Sequence, residues 1–447
     1  MLTLSTSRHF TKRAFSCING RMKKPRILSG FRDSTPSEMI ERLRMMRAIR
    51  EVFESYAYDP IETPSLEYYE TLAGKEGGDS EMLMYDFHDH GDRHVGLIYD
   101  LTVPIARMIA TNQDIPLPLK RYQIQRVWRA DRPQKGRFRE FYQCDVDILG
   151  DDSLAADAEI ITVISKSLEA LGFANFEVRV SSRELLNAML IHAGVSQEAV
   201  KQTIIAIDKL DKIGANGVAC ELNKLGVSSP ETIIEMISGD GDGEDKLTRI
   251  TDTLVSEEGK TSALKIARII ELARFQGGKA VFDPSLARGQ TYYTGPVFEA
   301  NLTGIQFGSL AGGGRYDNLV GMFLGKPVPA VGASLGFDRI LSAMRELGLT
   351  EDRPSVADVY VMCMEEDHAE YALKVADSIR KLGLRVMMGY MGKKMKWQMK
   401  HALGKGVKHL AIIGEDEYTS NSVTIKNTIT RDQESLNLDN LKNHLTP

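Results

Sequence analysis

The segment from Lys120 to Arg139 is the densest run of chemically useful side chains, with eight Lys or Arg and one acidic residue. A predicted strand follows it, in which Gln143, Asp145 and Asp147 alternate with apolar residues. Arginine presents a planar fork that matches phosphate or carboxylate oxygens, and a carboxylate accepts a hydrogen bond from an amine or imidazole N–H. The combination predicts a site for a small zwitterion beside a phosphate.

The elements that position these residues can be predicted from periodicity and turn signals. A capping box over 35–38 with Pro36 in the first turn predicts a helix that ends near Pro60. Further expectations are a strand at 61–63, hairpins over 82–102 and 119–149, a helix over 153–172, mostly helical sequence over 180–275, strand-like sequence over 290–313, and a Gly-rich turn with a helix over 330–347.

A second domain is predicted after the polar segment 350–355. Strand and helix patterns alternate there, which is typical of a small α/β domain with a mainly parallel sheet. The predicted strands are 357–364, 384–390, 409–414 and 423–427, and the predicted helices are 367–382 and 393–403.

Charge and composition restrict the classes of function. The net charge is −5, and because the first 32 residues carry eight Lys or Arg and no acid, the remainder carries −13. Such a chain cannot bind nucleic acid through its global field and would need a local basic patch. Residues 378–414 supply one, with nine Lys or Arg and no acid.

No apolar run approaches the length of a membrane span, and the four cysteines include no CxxC pair, so neither a membrane protein nor a cysteine zinc site is expected.

The first 25 residues form an extension that is basic, rich in Ser and Thr, and free of acid. This composition fits a mitochondrial transit peptide. A disordered tail, or an upstream start with Met22 as the true first residue, fits it as well. We expect a cytoplasmic protein, with mitochondrial targeting as the alternative, since scattered cysteines suggest a reducing compartment.

Three ordered segments resemble the motifs of class II aminoacyl-tRNA synthetases. Residues 121–141, with Arg129 and the run RPQKGRFREF, resemble motif 2; residues 35–64 resemble motif 1; residues 332–340, with GFDR, resemble motif 3. Four further segments are similar to blocks of the histidyl-tRNA synthetase family: YDLTVP (99–104), QCDVD (143–147), LARGQTYYTG (286–295) and AGGGRYD (311–317). The resemblance covers about residues 26 to 430.

This resemblance implies an α+β catalytic domain over 26–348, built on an antiparallel sheet flanked by helices, with a helical insertion at about 180–275. An anticodon-binding α/β domain would follow over 356–447. The implied activity is ATP-dependent conversion of L-histidine to histidyl-adenylate, followed by transfer to the 3′ end of tRNA(His). It further implies Mg²⁺ on the outer phosphates of ATP and a homodimer that pairs through motif 1.

The resemblance also assigns roles to single residues. The catalytic arginines would be Arg129 at the α-phosphate and reacting carboxylate, Arg288 across the α-phosphate from it, and Arg339 at the γ-phosphate or adenine. Arg137 would help to hold ATP, and Gln134 would approach the tRNA acceptor end. The histidine-binding set would be Arg129 and Arg288 together with Asp100, Leu101, Thr102 and Gln143 near the α-ammonium, Asp147 and Tyr293 at the imidazole, and Tyr292 lining the pocket.

Several alternatives accompany this prediction. Gln290 and Thr291 depart from the family, which usually has Leu and then an acidic or small residue. A non-catalytic regulatory paralogue of histidine biosynthesis would lack the anticodon domain, and a threonine or proline synthetase would lack the 288–293 block. The histidines at 88, 90 and 94 are disfavoured as metal ligands because alternate strand residues point apart, and no protein side chain is assigned to a metal. Tyr390 and Trp397 are expected to pack, with base stacking as the alternative.

Overall fold

A large mixed sheet organises the N-terminal part of the chain in the computed structural model, which describes residues 25–73, 83–133, 136–287, 292–305, 307–390 and 392–445. The predicted extension therefore lies almost wholly outside the described residues. The strands of this part are β1 (Asp59–Pro60), β2 (Leu66–Tyr68), β3 (Tyr85–His88), β4 (His94–Leu97), β5 (Leu119–Trp128), β6 (Glu140–Leu149), β7 (Phe176–Ser182), β8 (Ala280–Phe282), β9 (Pro296–Leu302), β10 (Ala311–Arg315) and β11 (Ala330–Gly336).

The large sheet has the strand order β1-β5-β6-β11-β10-β9-β7-β8. Its central pairs are antiparallel, and the short strands β1 and β8 pair in parallel at the two edges. A separate three-stranded sheet, β2-β4-β3, contains the first predicted hairpin. The predicted α+β fold class, with an antiparallel sheet and flanking helices, is confirmed.

Helices pack against this sheet and form the insertion between β7 and β8. They are α1 (Pro36–Ser55), α2 (Tyr69–Ala73), α3 (Thr102–Thr111), α4 (Leu154–Ala170), α5 (Arg183–His192), α6 (Gln197–Ile207), α7 (Leu210–Lys224, kinked at Gly214), α8 (Pro230–Ser238), α9 (Gly243–Thr253), α10 (Glu257–Phe275), α11 (Asp317–Leu324) and α12 (Phe337–Glu346). The predicted helical character of 180–275 is therefore confirmed.

Strand β6 shows why the sheet has one face for the core and one for chemistry. Cys144, Val146 and Ile148 are buried in the main hydrophobic core, which also includes residues of α1 and α4. The intervening Gln143 and Asp147 point to the opposite face, since successive strand residues alternate. The alternation predicted from the sequence is the one that the structure has.

A second sheet follows in the C-terminal part. The elements there are β12 (Val359–Cys363), α13 (Ala369–Arg380), β13 (Val386–Met388), α14 (Met395–Gly404), β14 (His409–Ile413), α15 (Glu415–Thr419), β15 (Ser422–Asn427), β16 (Gln433–Asn437) and α16 (Leu441–His444). The strand order of the sheet is β13-β12-β14-β15-β16. Helix α13 packs over one hydrophobic cluster on this sheet, and α14 contributes to another.

Four local expectations were wrong. Thr35 precedes α1 but its side chain makes no capping hydrogen bond, so the predicted capping box does not form. The short strand is β1 at 59–60, not 61–63, and residues 330–336 are strand β11 instead of a turn. The C-terminal sheet is only half parallel, because β14, β15 and β16 pair antiparallel.

No helix among the described residues combines the length and apolar character that crossing a membrane requires.

Candidate active site

A cavity of about 330 Å³ opens on the polar face of the large sheet. Its walls come from the start of α3, the β5–β6 hairpin, strands β10 and β11, and the first turn of α12. The structure brings together most of the site residues predicted from the sequence, which line this cavity: Asp100, Thr102, Arg129, Arg137, Gln143, Asp147, Tyr292, Tyr293 and Arg339.

Three arginines line the cavity at its arginine-rich end, where the β5–β6 loop and the first turn of α12 form the wall: Arg129, Arg137 and Arg339. The Nε of Arg129 donates to the backbone oxygen of Tyr99 at 2.9 Å, and its guanidinium lies 5.2 Å from the ring centre of Phe141. Arg339 donates from Nη1 to the oxygen of Ser309 at 3.1 Å. Arg137 is exposed at the rim. Fixed cations of this kind suit the oxygens of a polyphosphate, since the guanidinium fork matches them.

The first turn of α12 is held in place by a buried ion pair. Asp338, the neighbour of Arg339, accepts from Arg42 of helix α1 at 2.6 Å and from Arg32 at 2.5 Å. Arg42 also lies 4.9 Å from the ring centre of Phe337. This contact ties the motif that carries Arg339 to the first helix of the domain.

The other end of the cavity is polar and acidic. Gln143 donates from Nε2 to the hydroxyl of Ser334 at 2.8 Å and to Asp145 Oδ1 at 3.4 Å, and the second contact orients the amide because an ionised carboxylate only accepts. Asp147 accepts from the hydroxyl of Tyr316 and lies 2.7 Å from the guanidinium of Arg121. The remaining acceptor atoms, Gln143 Oε1 and Asp147 Oδ2, are buried and make no hydrogen bond within the described structure. Gln143 Oε1 thus has no partner of its own and Asp147 Oδ2 has only its ion-pair contact with Arg121, so both residues keep acceptor capacity for a ligand.

Asp100, just before the N-terminus of α3, adds another carboxylate to the cavity wall. Its Oδ1 accepts from the backbone N–H of Val103 at 3.1 Å. Burial raises the pKa of Asp100, while the backbone hydrogen bond and the charges of Arg129 and Arg121 oppose the increase. An ammonium group placed beside it would favour its charged form.

Burial also raises the pKa of the other acidic groups at this end of the cavity. Desolvation raises the pKa of Asp145 to about 7, against the opposing charge of Arg121. The pKa of Asp147 is also raised by burial, with Arg121 and the Tyr316 hydrogen bond opposing it. The pKa of Tyr316 lies well above its usual value because the phenol is buried beside Asp147. Burial therefore favours the protonated forms of these groups, and a cationic ligand beside the carboxyl groups would favour their charged forms.

Glycine makes room for Asp147 on the neighbouring strand. Gly332 of β11 lies opposite Asp147 of β6 in the antiparallel register. A Cβ at Gly332 would lie 1.8 Å from Asp147 Oδ1 and 2.8 Å from the backbone oxygen of Val146. No side chain fits there without moving the carboxylate or the strand, so this glycine is required by the site.

Some predicted residues are not among the cavity walls. Leu101 is fully buried in a hydrophobic cluster beside Ile98 and Val127 and does not line the cavity. Arg288 and Gln134 lie outside the described residues, as do Gln290 and Thr291.

Sequence reasoning missed several residues that the fold brings to the cavity. Asp145 was placed by the sequence pattern on the same face of β6 as Gln143 and Asp147 but was given no role, and the structure puts it in the cavity wall. Tyr316 and Ser334 lie within the segments 311–317 and 332–340 that resemble the family, but neither was given a role, and Ser309 lies outside every such segment.

The C-terminal domain carries an exposed aromatic cluster on the basic segment. Tyr390 and Trp397 remain 56% and 44% exposed, so the expectation that they pack was wrong. The Trp397 ring stacks on His401 with centroids 5.2 Å apart, and Tyr390 meets Trp397 edge-on at 5.6 Å. The Lys393 ammonium lies 5.9 Å from the Trp397 ring centre. An exposed aromatic face among lysines is suited to stacking against nucleic-acid bases.

Histidines elsewhere form ordinary contacts. On the β3–β4 hairpin, His88 and His94 stack at 4.8 Å and His94 Nε2 lies 2.8 Å from Asp86. Among the described residues one group has metal-ligand proximity, Glu365, His368 and Glu415. His368 Nε2 lies 3.2 Å from Glu415, which a hydrogen bond from the ring to an exposed carboxylate explains.

Comparisons with known proteins agree with this architecture. The family model described as "Histidyl-tRNA synthetase" matches residues 30–340, and that described as "Anticodon binding domain" matches residues 358–446. A histidine–tRNA ligase from Aeropyrum pernix is 42% identical over 417 residues, with 91% of this chain and 93% of the relative covered. One from Wolinella succinogenes is 40% identical, with 92% and 95% covered.

Solved structures share the fold as well. The crystal structure of histidyl-tRNA synthetase from Nostoc sp. PCC 7120 superposes with a TM-score of 0.85 at 32% identity, covering 96% of this chain and 100% of that one. A Bacillus halodurans chain described as an ATP phosphoribosyltransferase regulatory subunit/histidyl-tRNA synthetase has a TM-score of 0.72 at 24% identity, covering 85% of this chain and 97% of that one, and shows the fold alone. The matches define a synthetase catalytic domain joined to an anticodon-binding domain. The chain belongs to the histidyl-tRNA synthetase family.

Proposed function

We propose that this protein is a histidine–tRNA ligase, which activates L-histidine with ATP and transfers it to the 3′ end of tRNA(His). The observation that carries the proposal is the single cavity with arginines at one end and unpaired buried acceptors at the other. One end suits a triphosphate, and the other suits an amino acid whose side chain donates N–H hydrogen bonds.

The first step joins the two ends of the cavity. The histidine carboxylate attacks the α-phosphorus of ATP, a P–O bond forms to histidine, and pyrophosphate leaves. Negative charge grows on the phosphate oxygens, and a cation already in position lowers the barrier. Arg129 takes this role because its Nε bond to Tyr99 fixes the guanidinium before the reaction. Arg339 binds the outer part of ATP, and Arg137 supports the phosphates. Arg288 lies outside the described residues, and its role at the α-phosphate rests on the family resemblance alone.

Histidine recognition rests on the unpaired acceptors. Gln143, Asp100 and Thr102 surround the α-ammonium, while Asp147 accepts from an imidazole N–H and Tyr293 contacts the ring. An amino acid that lacks such donors would leave buried polar atoms unpaired, which can reject it by a large factor. The pocket can therefore be selective without a separate editing site.

Mg²⁺ would bind oxygens of the outer phosphates. Asp338, an acid lining the arginine-rich end, is already paired with Arg32 and Arg42, so the phosphates are the better ligands there. The ion would neutralise charge on the leaving pyrophosphate.

Transfer of histidine to tRNA requires contacts with two parts of the tRNA, its acceptor end and its anticodon loop. The loop between β5 and β6, with Gln134, approaches the acceptor end. The aromatic cluster of Tyr390, Trp397 and His401 with the surrounding lysines contacts the anticodon loop, since unstacked bases stack on such surfaces and lysines attract phosphates.

The functional unit in this proposal is a C2 homodimer formed around motif 1. Supporting it, α1 and the strand β2 expose the apolar side chains of Leu43, Leu66 and Tyr68. The chain acts in the cytoplasm, with mitochondrial targeting by the basic extension as the alternative. Sequencing the N-terminus of the native protein would distinguish these locations.

The regulatory-paralogue alternative predicts no amino-acid activation. The anticodon-binding domain match over 358–446 disfavours it, since such a paralogue would lack that domain.

Histidine-dependent exchange of labelled pyrophosphate into ATP tests the proposal. Arg129→Ala should reduce exchange by at least 100-fold. Arg126→Ala is the matched control, because Arg126 lies three residues before Arg129 near the end of β5, is exposed and pairs with Glu140 at 3.1 Å. Equal activity of the two variants would contradict the assigned role of Arg129, and no exchange in the unmodified protein would contradict the proposed function.

A further inference from the structure

Arg121 is a fully buried cation immediately behind the histidine end of the cavity. Its side chain is 0% exposed, and it does not belong to the cavity wall. On β5 it lies opposite Asp147 of β6 in the antiparallel register, with its Nη2 2.7 Å from Asp147 Oδ2. An arginine without solvent must be compensated by charge and hydrogen bonds, since burial of an isolated charge is very unfavourable.

The groups that face Arg121 are mostly acidic. On its own strand, Gln123 Oε1 accepts from Nη1 at 3.3 Å. From the neighbouring elements it meets the charges of Asp145 and Asp147 on β6, Asp100 before α3, and the phenol of Tyr316 after β10. Three carboxylates therefore share one buried guanidinium, while Arg129 also acts on Asp100 from the cavity side.

The contact between Arg121 and Asp147 leaves hydrogen-bonding capacity unused. Neither Nη2 of Arg121 nor Oδ2 of Asp147 makes a hydrogen bond, although they are 2.7 Å apart, because the angle is unfavourable. Tyr316 occupies the other oxygen of Asp147. An ionised carboxylate has about four acceptor sites, so Asp147 can accept from a ligand N–H in addition to its contacts with Arg121 and Tyr316.

We propose that Arg121 is a positioning residue for histidine selection, which keeps Asp147 ionised so that its carboxylate accepts from the imidazole. This inference rests on the proposed function. A neutral residue at 121 would leave three carboxylates together without a buried cation, and Asp147 would take up a proton. A protonated carboxyl can donate at the position where it should accept, so histidine affinity would fall while ATP binding remained.

The test compares Arg121→Met with Arg121→Lys and with a neighbouring control. Lys120→Met is the control, because Lys120 forms an ion pair with Glu159 at 2.6 Å and does not line the cavity. The KM for histidine, the KM for ATP and kcat are measured by pyrophosphate exchange from pH 6 to 9. Dividing each variant's KM by that of the unmodified protein at the same pH cancels the titration of free histidine.

Arg121→Met should raise the KM for histidine at least 10-fold at pH 7, with the KM for ATP changed less than 2-fold. The KM ratio should fall as pH rises, because base removes the proton from Asp147. Arg121→Lys should restore the KM to within about 5-fold, since the cation returns without the planar fork. Lys120→Met should behave like the unmodified protein.

Three results would overturn the inference while the unmodified protein remains active. They are an unchanged KM for histidine in Arg121→Met, a KM ratio that does not vary with pH, or equal losses for histidine and ATP. If Arg121→Met does not fold, Arg121→Met/Asp145→Asn removes one buried charge of each sign. That double variant should fold and show the same increase in KM, and a normal KM there would also overturn the inference. Failure of the proposed function is distinct, since the unmodified protein would then show no histidine-dependent exchange.

Discussion

Gly332→Ala tests the geometry of the histidine end most sharply. The added Cβ would lie 1.8 Å from Asp147 Oδ1 and 2.5 Å from its Cγ, whereas ordinary contacts are 3.4 Å or longer. Asp147 must then shift by more than 1 Å or β11 must separate from β6. Overpacking of this kind costs about 1–3 kcal/mol of stability. Loss of a hydrogen bond to a charged group costs about 1.5–3 kcal/mol of binding, which corresponds to about a 10- to 150-fold increase in KM for histidine.

The measurement is histidine titration in pyrophosphate exchange, together with the thermal midpoint of each protein. Gly404→Ala is the matched control, because a Cβ at this position near the end of α14 meets no atom within 4 Å. That control should keep the KM and be neutral or slightly more stable, since alanine favours helix over glycine. A folded Gly332→Ala protein whose KM for histidine is within 2-fold of normal would refute the reasoning.

Three further predictions concern tRNA, pH and stability. Trp397→Ala should raise the KM for tRNA about 5- to 100-fold in aminoacylation without changing pyrophosphate exchange, whereas Leu373→Ala on α13, also exposed, should change neither. Burial raises the folded-state pKa values of Asp145 and Asp157 to about 7 and about 6, so the native state binds more protons than the unfolded state. The unfolding free energy measured in urea should therefore fall as pH rises from 4 to 7, by up to about 1.4 kcal/mol per pH unit for each group. Asp145→Asn should reduce this pH dependence, and an unchanged dependence in that variant would contradict the argument. Asp338→Ala leaves the buried Arg42 without its carboxylate partner and should lower the unfolding free energy by about 3–5 kcal/mol. A loss below 1 kcal/mol would contradict the ion-pair argument.

Much of the site could be predicted because its residues lie on local patterns. The alternation of β6 separated Cys144 and Val146 from Gln143 and Asp147, and burial in the structure follows that division. The partners of these residues could not be predicted, since strand register is a property of the folded sheet. Nothing local to Arg121 distinguishes a fully buried cation from the other basic residues of its segment.

The C-terminal sheet shows a different limit. Alternating strand and helix patterns predicted parallel pairing, and β12 does pair in parallel with β13 and β14. The remaining strands turn back in short connections, and β16 is mostly polar and exposed, so it carries no hydrophobic signal. Sequence patterns identify strands that bury a face and miss those that complete an edge.

The aromatic cluster was misjudged for a related reason. The spacing of Tyr390 and Trp397 fits either packing or exposure, and only the fold shows which face of α14 meets the sheet. Ala402 is buried in the cluster beneath that helix, while Trp397 remains on the surface.

The most direct test of the central claim is exchange of labelled pyrophosphate into ATP with each of the twenty amino acids in turn. A cavity that pairs a triphosphate end with acceptors for an imidazole predicts exchange with histidine and a rate at least 1,000-fold lower, about 4 kcal/mol, with every other amino acid. Exchange that is equal for another amino acid, or absent with histidine, would contradict the account.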